Sequence, residues 1–327
     1  MNSLVSHIGI FTSGGDSPGM NAAIRAVVRT ALFHGKKITG IRYGYEGMID
    51  GDFAEMNHSS VSNIIQRGGT ILKTARSERF HEKEFRKTAF DNLRKKGIDS
   101  LIALGGDGTF RGALAFSEEF DIPVMGVPCT IDNDLFGTDF TIGYDTAINT
   151  AMEAIDKIRD TADSHNRLFF VEVMGRDAGF IALRSGIGSG AEAILVPEHA
   201  GDFDLLIRKF EKGWQREKSS RIVIVAEGEE EGGAFEIARK VKEKFSEVDA
   251  RVVILGHIQR GGNPTCMDRV LASRLGMAAV EALLEGKRNL ATGTLHRDIS
   301  FTPFDRATKH HEEINRAMLH LVEVLSC

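Results

Sequence analysis

Residues 7–32 read HIGIFTSGGDSPGMNAAIRAVVRTAL, and the fold is read outward from this stretch. HIGIFT is a short apolar run that ends in a glycine turn, which reads as a strand. SGGDSPG follows as a loop. Ile24, Val27, Val28, Ala31 and Leu32 then fall at i, i+3, i+4, i+7 and i+8, one apolar face of a helix. Gly35 stands where a helix-ending glycine is expected.

The pattern recurs along the chain. Phe85, Ala89 and Leu93 mark a helix, residues 100–104 a strand, and GGDGT at 105–109 a loop. A helical stretch then runs to about 120, followed by a strand at 122–127 and the loop PCTIDND. Later strands are expected at 168–174, 192–196, 221–226 and 252–255, and a long helix at 268–285. Apolar runs alternating with helical patterns predict an α/β fold with parallel sheet covered on both faces. No Pro-rich linker marks a domain boundary. The pentapeptide IQRGG occurs at 65–69 and again at 258–262, too short an echo for a repeat architecture.

The chain has 327 residues, 42% hydrophobic and 27% charged, the composition of a folded globular protein long enough for two domains. Its net charge of -5 leaves no footprint for nucleic acid and no polybasic membrane patch. Cys129, Cys266 and Cys327 are scattered and fit reduced thiols in a cytoplasmic protein. No apolar run approaches the ~18 residues of a membrane span, and the first residues carry no basic-then-apolar leader. The 11 histidines show no His-Glu-x-x-His spacing.

In a parallel α/β sheet ligands bind beyond the carboxyl ends of the strands, so the post-strand loops carry the chemistry. These are SGGDSPG, GGDGT, PCTIDND, MGRDAG and GHIQRGG. Glycine pairs before a helix let backbone N–H groups and the positive helix end approach phosphate. Neither a Walker A loop nor a Gly-x-Gly-x-x-Gly fingerprint occurs. Asp107 among such amides is either a Mg²⁺ ligand or a helix N-cap. Asp132 and Asp134, two apart, offer a base for a hydroxyl proton, a metal pair or an Asx-turn. Arg76, Arg176, Arg251 and Arg260 near glycine turns, and Arg167 before a strand, suit bidentate phosphate contact.

Taken together these loops resemble the bacterial-type 6-phosphofructokinase family. The matching segments are TSGGDSPGMNAAIR (12–25), QRGGTIL (66–72), GGDGT, TIDND, VEVMGR (171–176) and GHIQRGG (256–262), in the family's order. The resemblance implies two Rossmann-like lobes with mostly parallel sheets. Residues 1–143 and 256–306 would form an ATP-binding lobe, and 144–255 and 307–327 a sugar-phosphate lobe. The implied reaction moves the γ-phosphoryl of ATP to the 1-hydroxyl of fructose 6-phosphate, with Mg²⁺. By the same resemblance Asp132 is the base, supported by Thr130, Arg76 and Arg176. Gly15, Arg76, Gly106, Asp107, Gly108 and Thr109 hold ATP, with Asp107 beside the metal. Thr130, Ile131, Asp132, Met174, Gly175, Arg176, Glu227, His257, Ile258, Gln259 and Arg260 hold the sugar phosphate. Arg167 and Arg251 are implied to serve a neighbouring subunit of a homotetramer.

Arg25, Arg29, Arg159, Glu192, Arg216 and Lys218 match the family's effector site. His58 and Ser59 stand where Arg and Tyr are common, which predicts weakened allostery. Gly108, where pyrophosphate-dependent relatives carry Asp, favours ATP as donor. Cys129, usually Gly in ATP enzymes, and Lys73, often Gly, depart from the pattern. The alternatives are a pyrophosphate-dependent phosphofructokinase, a lipid or NAD kinase sharing only GGDGT, and a silent sugar-phosphate sensor.

Overall fold

A computed structural model describes residues 5–165, 167–199, 202–211, 221–308 and 315–325. In chain order the elements are β1 (His7–Thr12), α1 (Met20–Phe33), β2 (Lys37–Ile41), α2 (Tyr45–Asp50), β3 (Phe53–Glu55), α3 (Lys83–Lys96), β4 (Ser100–Gly105), α4 (Asp107–Phe120), β5 (Val124–Pro128) and α5 (Tyr144–His165). They continue with β6 (Leu168–Val173), α6 (Phe180–Gly188), β7 (Ala193–Leu195), α7 (Asp202–Glu211), β8 (Arg221–Ala226), α8 (Ala234–Lys244), β9 (Ala250–Ile254), α9 (Cys266–Leu284), β10 (Leu290–Leu295), β11 (Asp298–Pro303), α10 (Phe304–Ala307) and α11 (Arg316–Leu325). The chain divides into two compact units, Met1–Thr146 with Arg260–His311, and Ala147–Gln259 with Glu312–Cys327.

In the first unit the sheet order is β11-β10-β5-β4-β1-β2-β3. The five inner strands are parallel, and β3 and β11 close the two edges antiparallel. Side chains alternate across it as a pleated strand requires. Ile8, Ile10, Ile102, Leu104, Met125 and Val127 pack with α1 and α9. Phe11, Leu101, Ala103 and Val124 face the other way, against α2, α3 and α4. The apolar face read on α1 is buried at Ile24, Val27, Val28 and Ala31. Gly276 of α9 lets the helices close up, because a Cβ there would stand 2.9 Å from that of Ala26.

The second unit holds a sheet of order β7-β8-β6-β9, parallel throughout. Phe170, Val223 and Val225 pack into an apolar cluster with residues of α7 and α8. The α/β class and the predominance of parallel pairing agree with the sequence reading.

Several elements differ from it. GGDGT is not a loop: β4 runs through Gly105 and α4 begins at Asp107, so only Gly106 connects them. The Thr109 hydroxyl donates to the Ser13 carbonyl at 3.0 Å and holds the new helix against the first loop. Strands β2, β3, β10 and β11 were not anticipated. In β10 and β11 three of the buried positions are threonines, Thr292, Thr294 and Thr302, beside only the small Ala291 and Gly293. Thr292 satisfies its hydroxyl on the Gly126 carbonyl at 2.9 Å. The two IQRGG segments converge: a Cβ on Gly68 would press on the Gly262 carbonyl.

Candidate active site

Strands β5, β4 and β1 are neighbours in the first sheet, and the loops that follow all three leave its carboxyl edge. SGGDSPG, Gly106 with the start of α4, and TIDND therefore gather at one place. The segment 73–76 is stitched to them. Thr12 donates its hydroxyl to the Lys73 carbonyl at 2.7 Å, and Thr74 donates to the Gly14 carbonyl at 2.7 Å. Lys73 sits at φ 58°, the left-handed region that glycine adopts without strain. Its side chain is exposed.

Asp107, Gly108 and Thr109 form the first turn of α4, whose free N–H groups and positive end suit an anion. Asp107 is 7% exposed and pairs with Arg111 at 2.9 Å. A Cβ at Gly108 would meet nothing within 4 Å, so this side of the turn is open. At Gly15 a Cβ would collide with the Arg260 guanidinium, which donates to the Asp16 carbonyl at 3.2 Å. The structure thus brings Gly15 and Arg260 together.

In TIDND Asn133 braces the turn. Held at φ 54°, it accepts from Thr141 N at 2.7 Å and donates to the Asp139 carbonyl at 3.2 Å. Thr130 Oγ1 accepts from Asp132 N at 3.2 Å and donates to Asp132 Oδ2 at 3.3 Å. Ile131 is fully buried and faces the core. Cys129 is buried too, and burial pushes its thiol far above the ordinary range, so it stays protonated.

In the second unit β8, β6 and β9 are neighbours, and MGRDAG, Glu227 and GHIQR leave their carboxyl edge. Arg176 is held at φ 59° and its N–H donates to Glu227 Oε1 at 2.7 Å. A left-handed arginine costs of order ~1 kcal/mol, and such strain clusters at functional sites. Gly175, at φ 151°, has no room for a Cβ beside the Ala178 carbonyl. Met174 is buried, whereas Arg176, Glu227, His257 and Ile258 are exposed. Gln259 is fully buried: Oε1 accepts from Met174 N at 3.3 Å and Nε2 donates to the Gly256 carbonyl at 3.0 Å. Its side chain is committed to the protein's own backbone, so its part is to hold the two loops together.

Arg167 and Arg251 are elsewhere. Both pair with Asp249, at 2.8 and 3.0 Å, at the amino ends of β6 and β9. A strand as long as β6, six residues, spans about 20 Å and separates them from the MGRDAG loop.

Of the effector candidates, Arg25 is half-buried on α1, and burial and the like charge of Arg29 lower its pKa. Arg159 donates to the carbonyls of Ser189 and Gly190 at 2.5 and 3.3 Å, and Glu192 is buried. Arg216 and Lys218 lie outside the described residues. Sequence reasoning had passed over Gly44, Tyr45, Glu46 and Asp268, which the structure places against these loops or at a neighbouring helix start. Of the four only Asp268 carried a signal, as an Asp in the first turn of a long helix.

Glycine turns and helix starts for phosphate, with carboxylates beside them, on parallel α/β sheets define a phosphoryl-transfer enzyme class. The chain belongs to the phosphofructokinase family, whose model matches residues 7–283. It is 54% identical over 322 residues to ATP-dependent 6-phosphofructokinase 2 of Bacteroides thetaiotaomicron, covering 98% of this chain and 99% of that one. It is 56% identical over 322 residues to ATP-dependent 6-phosphofructokinase 1 of Thermus thermophilus, covering 98% and 100%. The solved phosphofructokinase of Saccharomyces cerevisiae superposes with a TM-score of 0.88 at 35% identity, over 98% of this chain and 47% of the yeast chain. A pyrophosphate-dependent phosphofructokinase from Marinobacter aquaeolei, 21% identical with a TM-score of 0.83 over 97% and 91% of the two chains, shares the fold.

Proposed function

We propose that this chain transfers the γ-phosphoryl group of ATP to the 1-hydroxyl of fructose 6-phosphate, as an ATP-dependent 6-phosphofructokinase. The observation that carries the reading is identity of 54–56% along nearly the whole chain to relatives with that name. The open space at Gly108 is in keeping with a nucleotide donor.

Asp132 takes the proton of the 1-hydroxyl, held by Thr130 in a turn that Asn133 braces. Arg76 and Arg176 neutralise charge on the transferred group, a role worth of order ~3 kcal/mol. The α4 start and Gly15 bind the donor phosphates. Among the described residues no three His, Cys, Asp or Glu stand together as a metal site. The Asp107 carboxylate, in the first turn of α4, would hold Mg²⁺, an ion that keeps waters and takes substrate phosphates as its other ligands. Bound Mg²⁺ would screen the donor's phosphate charge. Arg167 and Arg251, a strand's length from the MGRDAG loop in their own chain, serve a neighbouring subunit of a homotetramer. The enzyme acts in the cytoplasm.

The test is a coupled assay for fructose 1,6-bisphosphate with Mg²⁺ and fructose 6-phosphate, run with ATP and with pyrophosphate. Turnover with ATP alone is the expected result. Turnover with pyrophosphate alone overturns the donor assignment, and turnover with neither overturns the enzyme reading.

A further inference from the structure

Three consecutive residues at the start of α2 touch three different segments of the proposed donor site. Gly44 lies at φ 61°, where a Cβ would stand 2.6 Å from the Thr12 carbonyl oxygen, so glycine alone lets α2 begin against the first loop. Tyr45, buried and stacked on Phe80 at 3.9 Å, donates its hydroxyl to the Thr109 carbonyl at 2.6 Å. Glu46 reaches the third segment. Its carboxylate accepts from Ser77 Oγ and, through one oxygen, from both Nε (2.8 Å) and Nη2 of Arg79. Ser77 Oγ in turn accepts from Phe80 N at 3.2 Å, and Arg79 pairs on with Asp50 at 3.0 Å.

Ser77 directly follows Arg76. On the other side of Arg76, the Ala75 carbonyl accepts from Gly14 N at 3.4 Å. Arg76 is thus bracketed, by the glycine loop before it and by the Glu46 clamp after it. We propose that Glu46 is a positioning residue for the phosphoryl donor, fixing through Ser77 and Arg79 the backbone that presents Arg76. The proposal rests on the assignment of Arg76 to the donor site. The physical basis is that charge-assisted bonds to arginine are directional. Without them Arg79 keeps Asp50 and Phe80 keeps its stacking on Tyr45, but Ser77, the residue next to Arg76, loses its carboxylate partner, and a misplacement of about 1 Å can cost up to ~100-fold in rate. The Arg79 and Ser77 bonds also hold the Glu46 carboxyl below the usual range, so the clamp stays charged at neutral pH.

The test uses the full chain as wild type, Glu46→Ala, Glu46→Gln and Ser77→Ala, with both substrates varied and thermal melts recorded with and without Mg-ATP. Expected for Glu46→Ala is a fall of roughly 10-fold or more in kcat/KM for ATP. Its KM for fructose 6-phosphate should move less than about twofold, and Glu46→Gln and Ser77→Ala should fall between it and wild type. ATP kinetics unchanged in Glu46→Ala overturn the proposal, as does a rise in KM for fructose 6-phosphate as large as that for ATP. If the wild type itself shows no turnover, the activity reading fails, and the melting shift with Mg-ATP still decides: a shift equal in wild type and Glu46→Ala overturns the role of Glu46.

Discussion

Asp268 accepts the backbone N–H of Gly143 at 2.8 Å, across 125 positions of chain. It also accepts from Thr146 N at 2.8 Å and Thr146 Oγ1 at 2.5 Å, so a carboxylate in the first turn of α9 caps the start of α5. Thr265 completes the lacing by donating to Asp145 Oδ2 at 2.6 Å.

Asp268→Ala strands two amides and a hydroxyl in the interior and should cost about 3 kcal/mol in urea unfolding. Burial raises the Asp268 pKa above its ordinary 3.8 despite those bonds. The folded chain then holds this proton more tightly than the unfolded one. The group's stabilising contribution is full below pH 3.8 and is lost as pH rises through the folded-state value. The stability of wild type minus that of Asp268→Asn should therefore fall as pH climbs through that window.

Gly108 supplies a probe that separates donor binding from folding. Its missing Cβ faces open space within the first turn of α4. Gly108→Ala should leave stability unchanged or raise it by up to about 1 kcal/mol. If ATP fills that space, KM for ATP rises in Gly108→Ala and further in Gly108→Asp, while melts stay near wild type.

Arg251 and Asp132 allow a complementation test. Asp132→Ser should lower turnover at least ~100-fold with sugar-phosphate binding largely kept, because only proton transfer is lost. Arg251→Ala should weaken sugar-phosphate binding. If subunits exchange arginines, mixed oligomers of the two variants regain part of the activity each lacks. Absence of recovery after verified subunit exchange would mean that Arg251 does not act on a neighbour's site.

The turn between β10 and β11 holds His296 at φ 50° and Arg297 at φ 81°, with Leu295 paired to Asp298. Such two-residue turns favour Asn-Gly. The turn's contacts run through backbone atoms: His296 N donates to Asp139 Oδ2 at 2.8 Å, and the Arg297 carbonyl accepts from Arg274 at 2.5 Å. His296→Asn with Arg297→Gly should therefore raise stability by about 1 kcal/mol in calorimetry or chemical unfolding.

This hairpin also shows where reading the sequence falls short. Its strands bury threonines, whose polarity hides the burial, and its turn carries neither Gly nor Asn. The Gly105–Thr109 segment misled for another reason. Glycines read as loop, yet the Thr109 hydroxyl on Ser13, 96 positions away, lets the helix begin at Asp107. In the candidate site Asp132 stood out because two carboxylates in a post-strand loop are chemically conspicuous, whereas Glu46 did not, being one acidic residue among 46.

The sequence by itself determined the alternation of strand and helix, the buried face of α1 and the loops that carry glycine and charge. Each is a local property, since side-chain period and turn chemistry are set by residues a few positions apart. Only the tertiary structure decided that β1, β4 and β5 lie side by side, so that three distant loops share one edge. The same holds for Arg167 and Arg251, which lie at the opposite edge of their sheet from Arg176, and for Glu46, which grips the segment after Arg76. These relations are pairings across tens or hundreds of positions, settled by which buried surfaces and hydrogen-bonding groups satisfy one another, and linear spacing carries no record of them.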